Sequence, residues 1–237
     1  MKNSTKEIIN EINTYRDESK AAFLPRFFKT GKGEYGEGDQ FIGVVVPNLR
    51  IVAKKHFDAD FDTLRELLAS PYHEYRLTAL LALTYRYAKL KDHESRETCV
   101  NFYVSQVDAI NNWDLVDLSC YKILGHWLFD KDKQLLYDWA KENHLWKQRI
   151  AIISCMHFVK QGEFKDALAI ADLLQHHPHD LIHKAVGWIL REIGKEDEQL
   201  LVDYLTPRYK EMPRTMLRYA IERFEEGKRK AFLNSTI

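Results

Sequence analysis

The sequence predicts an all-α fold, a single-domain α-solenoid in which pairs of helices stack on one another. Three observations support this class. Most of the chain after residue 47 places apolar residues at helical spacing, the breaks between these segments are short, and the more apolar helices recur at intervals of 34 to 37 residues. A period in this range is typical of repeat proteins whose helix pairs bury a continuous core.

The first 47 residues predict two helices, a loop and an extended run. Apolar residues recur at helical spacing in residues 6–18 and again in residues 20–29. Four glycines predict a flexible loop over residues 31–39, which lacks any phosphate-binding fingerprint. The run FIGVVVP, residues 41–47, has the local character of a strand. It is the one such run in the sequence, so it has no evident sheet to join. Its final residue, Pro47, is typical of the first turn of a helix.

Ten further helices are predicted from the spacing of apolar residues. Their ranges are 61–68, 74–90, 95–110, 113–129, 134–143, 146–160, 164–175, 181–193, 199–204 and 215–226. A chain of 237 residues can form one extended domain or two small ones. Since no long linker or low-complexity tract interrupts the helices, we expect one domain over residues 1–237.

The repeat is visible in the residues that begin the more apolar helix of each pair. They are Arg76, Trp113, Arg149, Lys184 and Arg218, at intervals of 37, 36, 35 and 34 residues. This period is somewhat shorter than the roughly 40–47 residues of HEAT units, so the repeats are described as HEAT-like. Because the second helices of solenoid pairs line the concave side, one inner surface is expected to carry these residues together with Asp117, Trp188, Arg191 and Arg214.

The composition excludes several classes of protein. Lys plus Arg and Asp plus Glu both number 35, so the protein has no net charge that would attract an anionic partner. This balance does not exclude a basic face on one side of the molecule. Three cysteines without metal-like spacing suit a reducing cytosol. The charged N-terminal segment is unlike a signal peptide, and no apolar run approaches the roughly 18 residues that cross a bilayer. We therefore expect a soluble cytoplasmic protein.

The stretch NNWDLVDLSCYKILGHW, residues 111–127, is the first candidate site. Asn111 or Asn112 can cap a helix on which Trp113 and Asp117, four residues apart, lie side by side. An apolar arc beside Asp117 desolvates its carboxylate in part, and an indole next to a carboxylate suits a flat cation. The alternative is that Asp117 is an ordinary ion-pair partner and that the tryptophans are core aromatics.

Four blocks, FIGVVVPNLR, WDLVD, LWKQRIAI and HKAVGWILRE, follow one another in the chain. Together they resemble the signature segments of the AlkD-like DNA glycosylases, a family of HEAT-like DNA alkylation repair enzymes. The resemblance covers residues 20–226 and preserves the order and spacing of the blocks. It implies an all-α enzyme of base excision repair that works without metal or cofactor and releases purines alkylated at N3 or N7 from double-stranded DNA. No lysine accompanies Asp117 in its block, so a monofunctional hydrolase is expected, and we expect a monomer.

The resemblance also assigns roles to individual residues. Asp117 matches the catalytic carboxylate, Trp113 and Trp188 match the aromatic pair at the lesion, and Arg149 matches the basic residue beside them. The candidates for DNA contacts are Arg50, Phe27, Lys184, Arg191, Arg214 and Arg218. As an alternative, Arg149 and Lys184 belong to a solvated face of the solenoid.

Two departures from the family pattern concern DNA contacts. Phe27 stands where the family often carries a tyrosine, and Val45 and Val46 occupy a turn where polar residues would reach a phosphate. These changes favour a second hypothesis, a non-catalytic solenoid that binds structured or damaged DNA or a protein partner. Retention of Asp117 between two tryptophans favours the enzyme, because a binder of phosphates gains nothing from a desolvated negative charge.

Two further segments invite a site but are better explained structurally. The histidines of HHPHDLIH, namely His176, His177, His179 and His183, lack the Cys or Glu residues that would complete a zinc set, so a capped loop is expected. Lys228, Arg229 and Lys230 near the C-terminus are expected to form a frayed tail.

Overall fold

The computed structural model describes residues 4–237, and throughout this part of the chain the regular structure is helical, without a β-strand. Gln40 and Tyr72 form an isolated β-bridge. The predicted all-α class is therefore confirmed. The chain divides between Ile123 and Leu124 into two compact units, which are described separately below, and the expectation of one domain stays a prediction.

The first unit is organised around one long helix, α5. Its helices are α1 (Thr5–Asn13), α2 (Glu18–Phe27), α3 (Val46–Lys55), α4 (Phe61–Leu68), α5 (His73–Lys89), α6 (His93–Ser105) and α7 (Trp113–Asp117), with a 3₁₀ turn at Val107–Ala109. Aspartates 17, 60 and 92 accept backbone N–H groups at the starts of α2, α4 and α6, which satisfies donors that each helix leaves open. Helix α5 packs against α3, α4, α6 and α7 and buries Leu77, Leu80 and Leu81 almost completely.

The second unit is organised around α13. Its helices are α8 (His126–Leu128), α9 (Gln134–Lys141), α10 (Leu145–Ser154), α11 (Met156–Val159), α12 (Lys165–Leu174), α13 (Asp180–Glu196), α14 (Glu198–Leu205), α15 (Arg214–Ala220) and α16 (Glu226–Asn234). Helix α13 packs against α10, α12, α14 and α15. Its contact with α15 is close because residue 187 is glycine: a Cβ there would lie 2.5 Å from the carbonyl oxygen of Met216.

The predicted helix over residues 113–129 is wrong in its length. Helix α7 ends at Asp117, a π-helical turn follows at Tyr121–Gly125, and α8 comes after it. Between α7 and the π-helical turn, the Ser119 hydroxyl donates to the carbonyl oxygen of Leu115 at 2.5 Å. A serine that bonds back to its own helix in this way competes with the backbone ladder and bends helices. A break also divides the predicted helix at 146–160 into α10 and α11. The helix predicted over 215–226 corresponds to α15, which ends earlier, at Ala220.

Residues 41–47, whose sequence has the local character of a strand, do not form a strand. Helix α3 already begins at Val46, with Pro47 in its first turn as predicted, and the residues before it form an irregular segment. The predicted frayed tail at residues 228–230 is also wrong, because these residues belong to α16, whose Phe232 is fully buried. None of the helices in residues 4–237 has both the length and the hydropathy needed to cross a membrane.

Candidate active site

Trp113 and Asp117 lie at the two ends of α7, one helical turn apart. Asn112 precedes the helix in extended conformation and accepts the N–H of Trp113 on its side-chain oxygen at 2.8 Å, which confirms it as the cap. Leu115 and Val116, between the two candidates, are completely buried, whereas Trp113 and Asp117 are each partly exposed. The helix thus turns its apolar side inward, and Trp113 and Asp117 lie at its partly exposed side.

Trp113 is supported by a stack of aromatic rings. It lies nearly parallel to Phe28, with ring centroids 5.3 Å apart and an interplanar angle of 18°, and Phe28 stacks in turn on Phe41 at 5.1 Å. Phe27 meets the Trp113 ring edge-on at 5.9 Å and is 51 % exposed. Phe23, 61 % exposed, stacks on Phe27 at 6.3 Å. Stacked and edge-on contacts of this kind hold rings in place, so an open aromatic surface adjoins the indole.

His73, the first residue of α5, links two buried carboxylates. Its Nδ1 lies 3.1 Å from Oδ2 of Asp39, and its Nε2 lies 2.9 Å from Oδ2 of Asp114. A neutral imidazole has one N–H, so both nitrogens can donate only when the ring is protonated. Burial by itself would lower the pKa of His73, but the carboxylates of Asp114 and Asp39 outweigh it and raise that pKa to about 9.

Asp39 collects three donors in the same buried network. Besides His73, Nη2 of Arg76 donates to its Oδ1 at 2.6 Å, and Nδ2 of Asn112 donates to its Oδ2 at 3.2 Å. Burial raises the pKa of Asp39. The hydrogen bond from His73 and the charge of Arg76 have a larger, opposite effect, so the pKa of Asp39 lies below its ordinary value. Arg76 also donates to the carbonyl oxygen of Ser70 and is only 5 % exposed. The prediction that Arg76 lines an open surface is therefore wrong, because its guanidinium neutralises Asp39.

Glu74, the second residue of α5, holds the segment that leads into α3. Its carboxylate is buried, and Oε1 accepts the backbone N–H groups of Ile42, Gly43 and Val44 at 3.1, 2.8 and 3.2 Å. These amides therefore find their acceptor in a side chain instead of a partner strand. Gly43 has φ 84°, and a Cβ at this position would lie 1.9 Å from the carbonyl oxygen of Asp17, so only glycine fits.

Arg50 is the candidate DNA-binding residue carried by α3. It is exposed, and its charge opposes the increase that burial produces in the pKa of Tyr121, so it lies near the turn that follows α7. Val45, which precedes α3, is 39 % exposed and makes no side-chain hydrogen bond to the helix N-terminus. Helix α3 of the first unit thus carries an exposed cation near Tyr121 and begins after an exposed apolar residue.

In the second unit, α13 carries three of the predicted site residues. Trp188 is partly exposed and follows the glycine at which α13 and α15 approach each other. Lys184 forms an ion pair with Asp180, one turn earlier, at 2.7 Å. Arg191 forms an ion pair with Glu222. The positive charges of Lys184 and Arg191 are thus compensated in part by acidic neighbours.

The remaining predicted residues of the second unit differ in exposure. Arg218 and Arg214 on α15 are exposed, and Arg214 donates to the carbonyl oxygen of Leu233 at 2.9 Å. Arg149, in contrast, is 5 % exposed, and its Nη1 donates to the carbonyl oxygen of Leu181 at 2.5 Å. Arg149 therefore ties α10 to the first turn of α13, and the expectation that it lies on an open or solvated face is wrong.

The histidine-rich segment forms a capped loop, as predicted. His179 precedes α13, and its Nδ1 accepts the backbone N–H of Leu181 at 3.1 Å. His177 pairs through Nε2 with the side-chain oxygen of Gln148 at 2.9 Å. Within residues 4–237, no three His, Cys, Asp or Glu side chains are grouped so as to hold a metal ion.

Sequence reasoning missed the buried network around Asp39, His73, Glu74 and Asp114. The signal that would reveal it is the polar sequence HEYR, residues 73–76, at the start of the long apolar helix α5. A charged side chain buried at such a position needs a partner. The sequence does not say which distant residues supply these partners.

Comparisons with known proteins agree with this architecture. No curated protein sequence matches the chain. A solved structure described as a predicted DNA alkylation repair enzyme from Enterococcus faecalis matches with a TM-score of 0.68 and 14% sequence identity, over 89% of this chain and 97% of that chain. At this identity the match shows the fold, and it confirms the predicted class of HEAT-like α-solenoids. The family model described as DNA alkylation repair enzyme matches residues 8–224, and the chain therefore belongs to the DNA alkylation repair enzyme family.

Proposed function

We propose that this protein is a monofunctional DNA glycosylase that hydrolyses the N-glycosidic bond of purines alkylated at N3 or N7 in duplex DNA. The main support for the proposal is the pair of partly exposed residues Trp113 and Asp117 on α7, with the indole stacked on Phe28. Membership of the DNA alkylation repair family supports damaged DNA as the class of substrate.

The charge of the substrate accounts for the kind of residues involved. A purine alkylated at N3 or N7 is cationic, and when its bond to C1′ breaks, the electron pair of that bond leaves with the base and neutralises it. The sugar then develops oxocarbenium character, and a carboxylate such as that of Asp117 stabilises this charge electrostatically. Water adds to C1′ and gives up a proton, which completes the hydrolysis. These steps require no metal or cofactor.

The two tryptophans have a separate role in the proposal. The face of an indole attracts a cationic base by about 0.5–2 kcal/mol. Trp113 is already held by its contacts with Phe28 and Phe27, so little side-chain freedom is lost when a ligand binds. Trp188 is the second aromatic residue of the proposal. Arg149 supports α13, the helix that contains Trp188, by donating to the carbonyl oxygen of Leu181.

The proposed DNA contacts are largely electrostatic. Exposed arginines at positions 50, 214 and 218 are suited to phosphate oxygens, and Lys184 and Arg191 can exchange their carboxylate partners for phosphates. Phe27 supplies an exposed ring beside Trp113, on which a base or sugar can pack.

The direct test is to incubate the protein with duplex DNA that contains 7-methylguanine and to measure the released base by chromatography. We expect release of the alkylated base with an intact abasic strand, since no lysine lies on α7 for lyase chemistry. Binding to this DNA without any released base would contradict the glycosylase and support the second candidate function.

That second candidate is a solenoid that binds damaged or structured DNA without cleaving it. Two observations favour it. Phe27 has no hydroxyl with which to reach a sugar or phosphate, and the exposed Val45 leaves the N-terminus of α3 without a polar cap. Both features weaken contacts with DNA but leave Asp117 in place, and for this reason the enzyme is the better explanation.

Replacement of Arg50 by glutamine is expected to flatten the salt dependence of DNA binding. Each lost phosphate contact changes the slope of log Kd against log salt by about 0.9. The measurement is fluorescence anisotropy with labelled duplex DNA over a range of salt concentrations. Arg65→Gln is the control, because Arg65 is exposed but already paired with Asp62 at 2.5 Å. Equal slopes for both variants and the parent protein would show that Arg50 makes no phosphate contact.

Replacement of Trp188 by alanine is expected to weaken discrimination between alkylated and normal purines. A lost cation–π contact of about 0.5–2 kcal/mol corresponds to roughly a 2- to 30-fold smaller ratio of the two release rates. The ratio is measured under single-turnover conditions with both kinds of base. Trp188→Phe keeps an aromatic face and should retain most of the discrimination. An unchanged ratio in the alanine variant would argue against contact between Trp188 and the base.

A further inference from the structure

Helix α7 is too short to fix its own orientation. It has five residues, and the chain leaves α-helical geometry soon after Asp117. A helix of this length gains little from its own hydrogen bonds. Its start is tied to the rest of the first unit by two polar residues, Asn112 and Asp114, which flank Trp113.

Both residues are connected to His73, Asp114 directly and Asn112 through Asp39. Oδ2 of Asp114 faces Nε2 of the ring, and the other oxygen of Asp114 is buried without a hydrogen-bond partner among residues 4–237. Asn112 donates to Oδ2 of Asp39, the same oxygen that faces Nδ1 of His73. One protonated ring therefore connects the residue before Trp113 with the residue after it.

We propose that His73 is a positioning residue for the reaction, because its simultaneous donation to Asp39 and Asp114 holds the first turn of α7 and thereby the side chains of Trp113 and Asp117. The kinetic consequence rests on the proposed glycosylase function. The structural consequence, the position of α7, does not depend on that function.

The groups around His73 determine how the link responds to pH. Asp39 faces it from the segment between α2 and α3, and Asp114 faces it from α7, while Arg76 and Glu74 on its own helix are engaged with Asp39 and with backbone amides. The pKa of His73 is raised from 6.5 to about 9. The protonated ring of His73 therefore contributes its full stabilisation of the folded protein below pH 6.5, and this contribution is lost as the pH rises through about 9.

Trp113 reports the position of α7 without reference to activity. In protein labelled with 5-fluorotryptophan, the ¹⁹F NMR signal of Trp113, assigned with Trp113→Phe, is expected to shift with a midpoint at about pH 9. His73→Gln should displace this signal and abolish the shift with pH, because glutamine cannot bridge two carboxylates as a cation. His93→Gln is the matched control, since His93 is the first residue of α6 and is exposed. A Trp113 signal that His73→Gln leaves unchanged would overturn the proposal.

The kinetic experiment uses duplex DNA with 7-methylguanine under single-turnover conditions. His73→Gln is expected to lower the release rate by roughly 10- to 100-fold while Kd for DNA changes by less than about twofold. A rate equal to that of the parent protein would overturn the positioning role. If the parent protein itself releases no base, the glycosylase function fails, and the NMR titration still decides the role of His73.

A second variant keeps the proposal testable if His73→Gln does not fold. Asp114→Asn keeps an acceptor for the ring but removes one of the two charges that raise the pKa of His73. The midpoint of the Trp113 titration should then move to lower pH. A midpoint that stays in place in Asp114→Asn would overturn the proposal, because the ring would not be sensing the carboxylate of α7.

Discussion

Replacement of Asp117 by asparagine is expected to reduce the single-turnover release of cationic alkylpurines by roughly 100- to 1000-fold, about 2.7–4 kcal/mol in transition-state stabilisation. The amide has nearly the same size as the acid but lacks the charge that opposes the positive charge on the sugar. Affinity for duplex DNA should stay the same or increase slightly, because the proposed phosphate contacts are made by other residues. The measurements are rates of base release and Kd values at one salt concentration.

Asp108→Asn serves as the control for this experiment. Asp108 is an exposed carboxylate in the short turn before α7, so its replacement removes the same charge near the same helix. It should release alkylpurines at the rate of the parent protein. If Asp117→Asn also keeps that rate, a different carboxylate performs the chemistry, and the proposed role of Asp117 is wrong.

Replacement of Glu74 by alanine is expected to give the largest loss of stability. The free energy of unfolding should fall by roughly 3–5 kcal/mol, because each buried backbone N–H left without an acceptor costs about 1–3 kcal/mol. The backbone N–H groups of Ile42, Gly43 and Val44 would all lose their acceptor, and the segment before α3 would lose its attachment to α5. Urea unfolding, followed by circular dichroism, measures the change.

Glu94→Ala is the matched control for Glu74→Ala. Glu94 is the second residue of α6, as Glu74 is of α5, but its side chain is exposed. An exposed substitution of this kind usually changes the free energy of unfolding by no more than about 0.5 kcal/mol. Similar unfolding midpoints for the two variants would show that the amide contacts of Glu74 contribute little.

These paired variants are available because the pattern H-E-x-R occurs twice. It begins α5 as HEYR and α6 as HESR. In α5 the histidine, glutamate and arginine are buried and bound to partners, whereas the histidine and glutamate of α6 are exposed. The copies differ at the cap, since Asp92 accepts a backbone N–H at the start of α6 and Tyr72 before α5 makes no such bond, but the cap does not specify which histidine and glutamate are buried.

Several features of the fold depend only on local spacing along the chain. Helix α4 occupies the predicted residues 61–68, Pro47 lies in the first turn of α3, and Asn112 caps α7. These features were predictable because helix periodicity and capping involve residues only a few positions apart. The family resemblance also came from short blocks, and the match over residues 8–224 confirms it.

The burial of particular polar residues and the identity of their partners depend on contacts between distant parts of the chain. Asp39 and Asp114, the partners of His73, lie 34 and 41 residues from it along the chain. Arg76 has the same helical spacing as residues on an open face, yet it is buried because Asp39 folds against it. The stability of a buried charge depends on partners brought close in space. Such partners follow from how the helices pack, which the spacing of residues along the sequence does not specify.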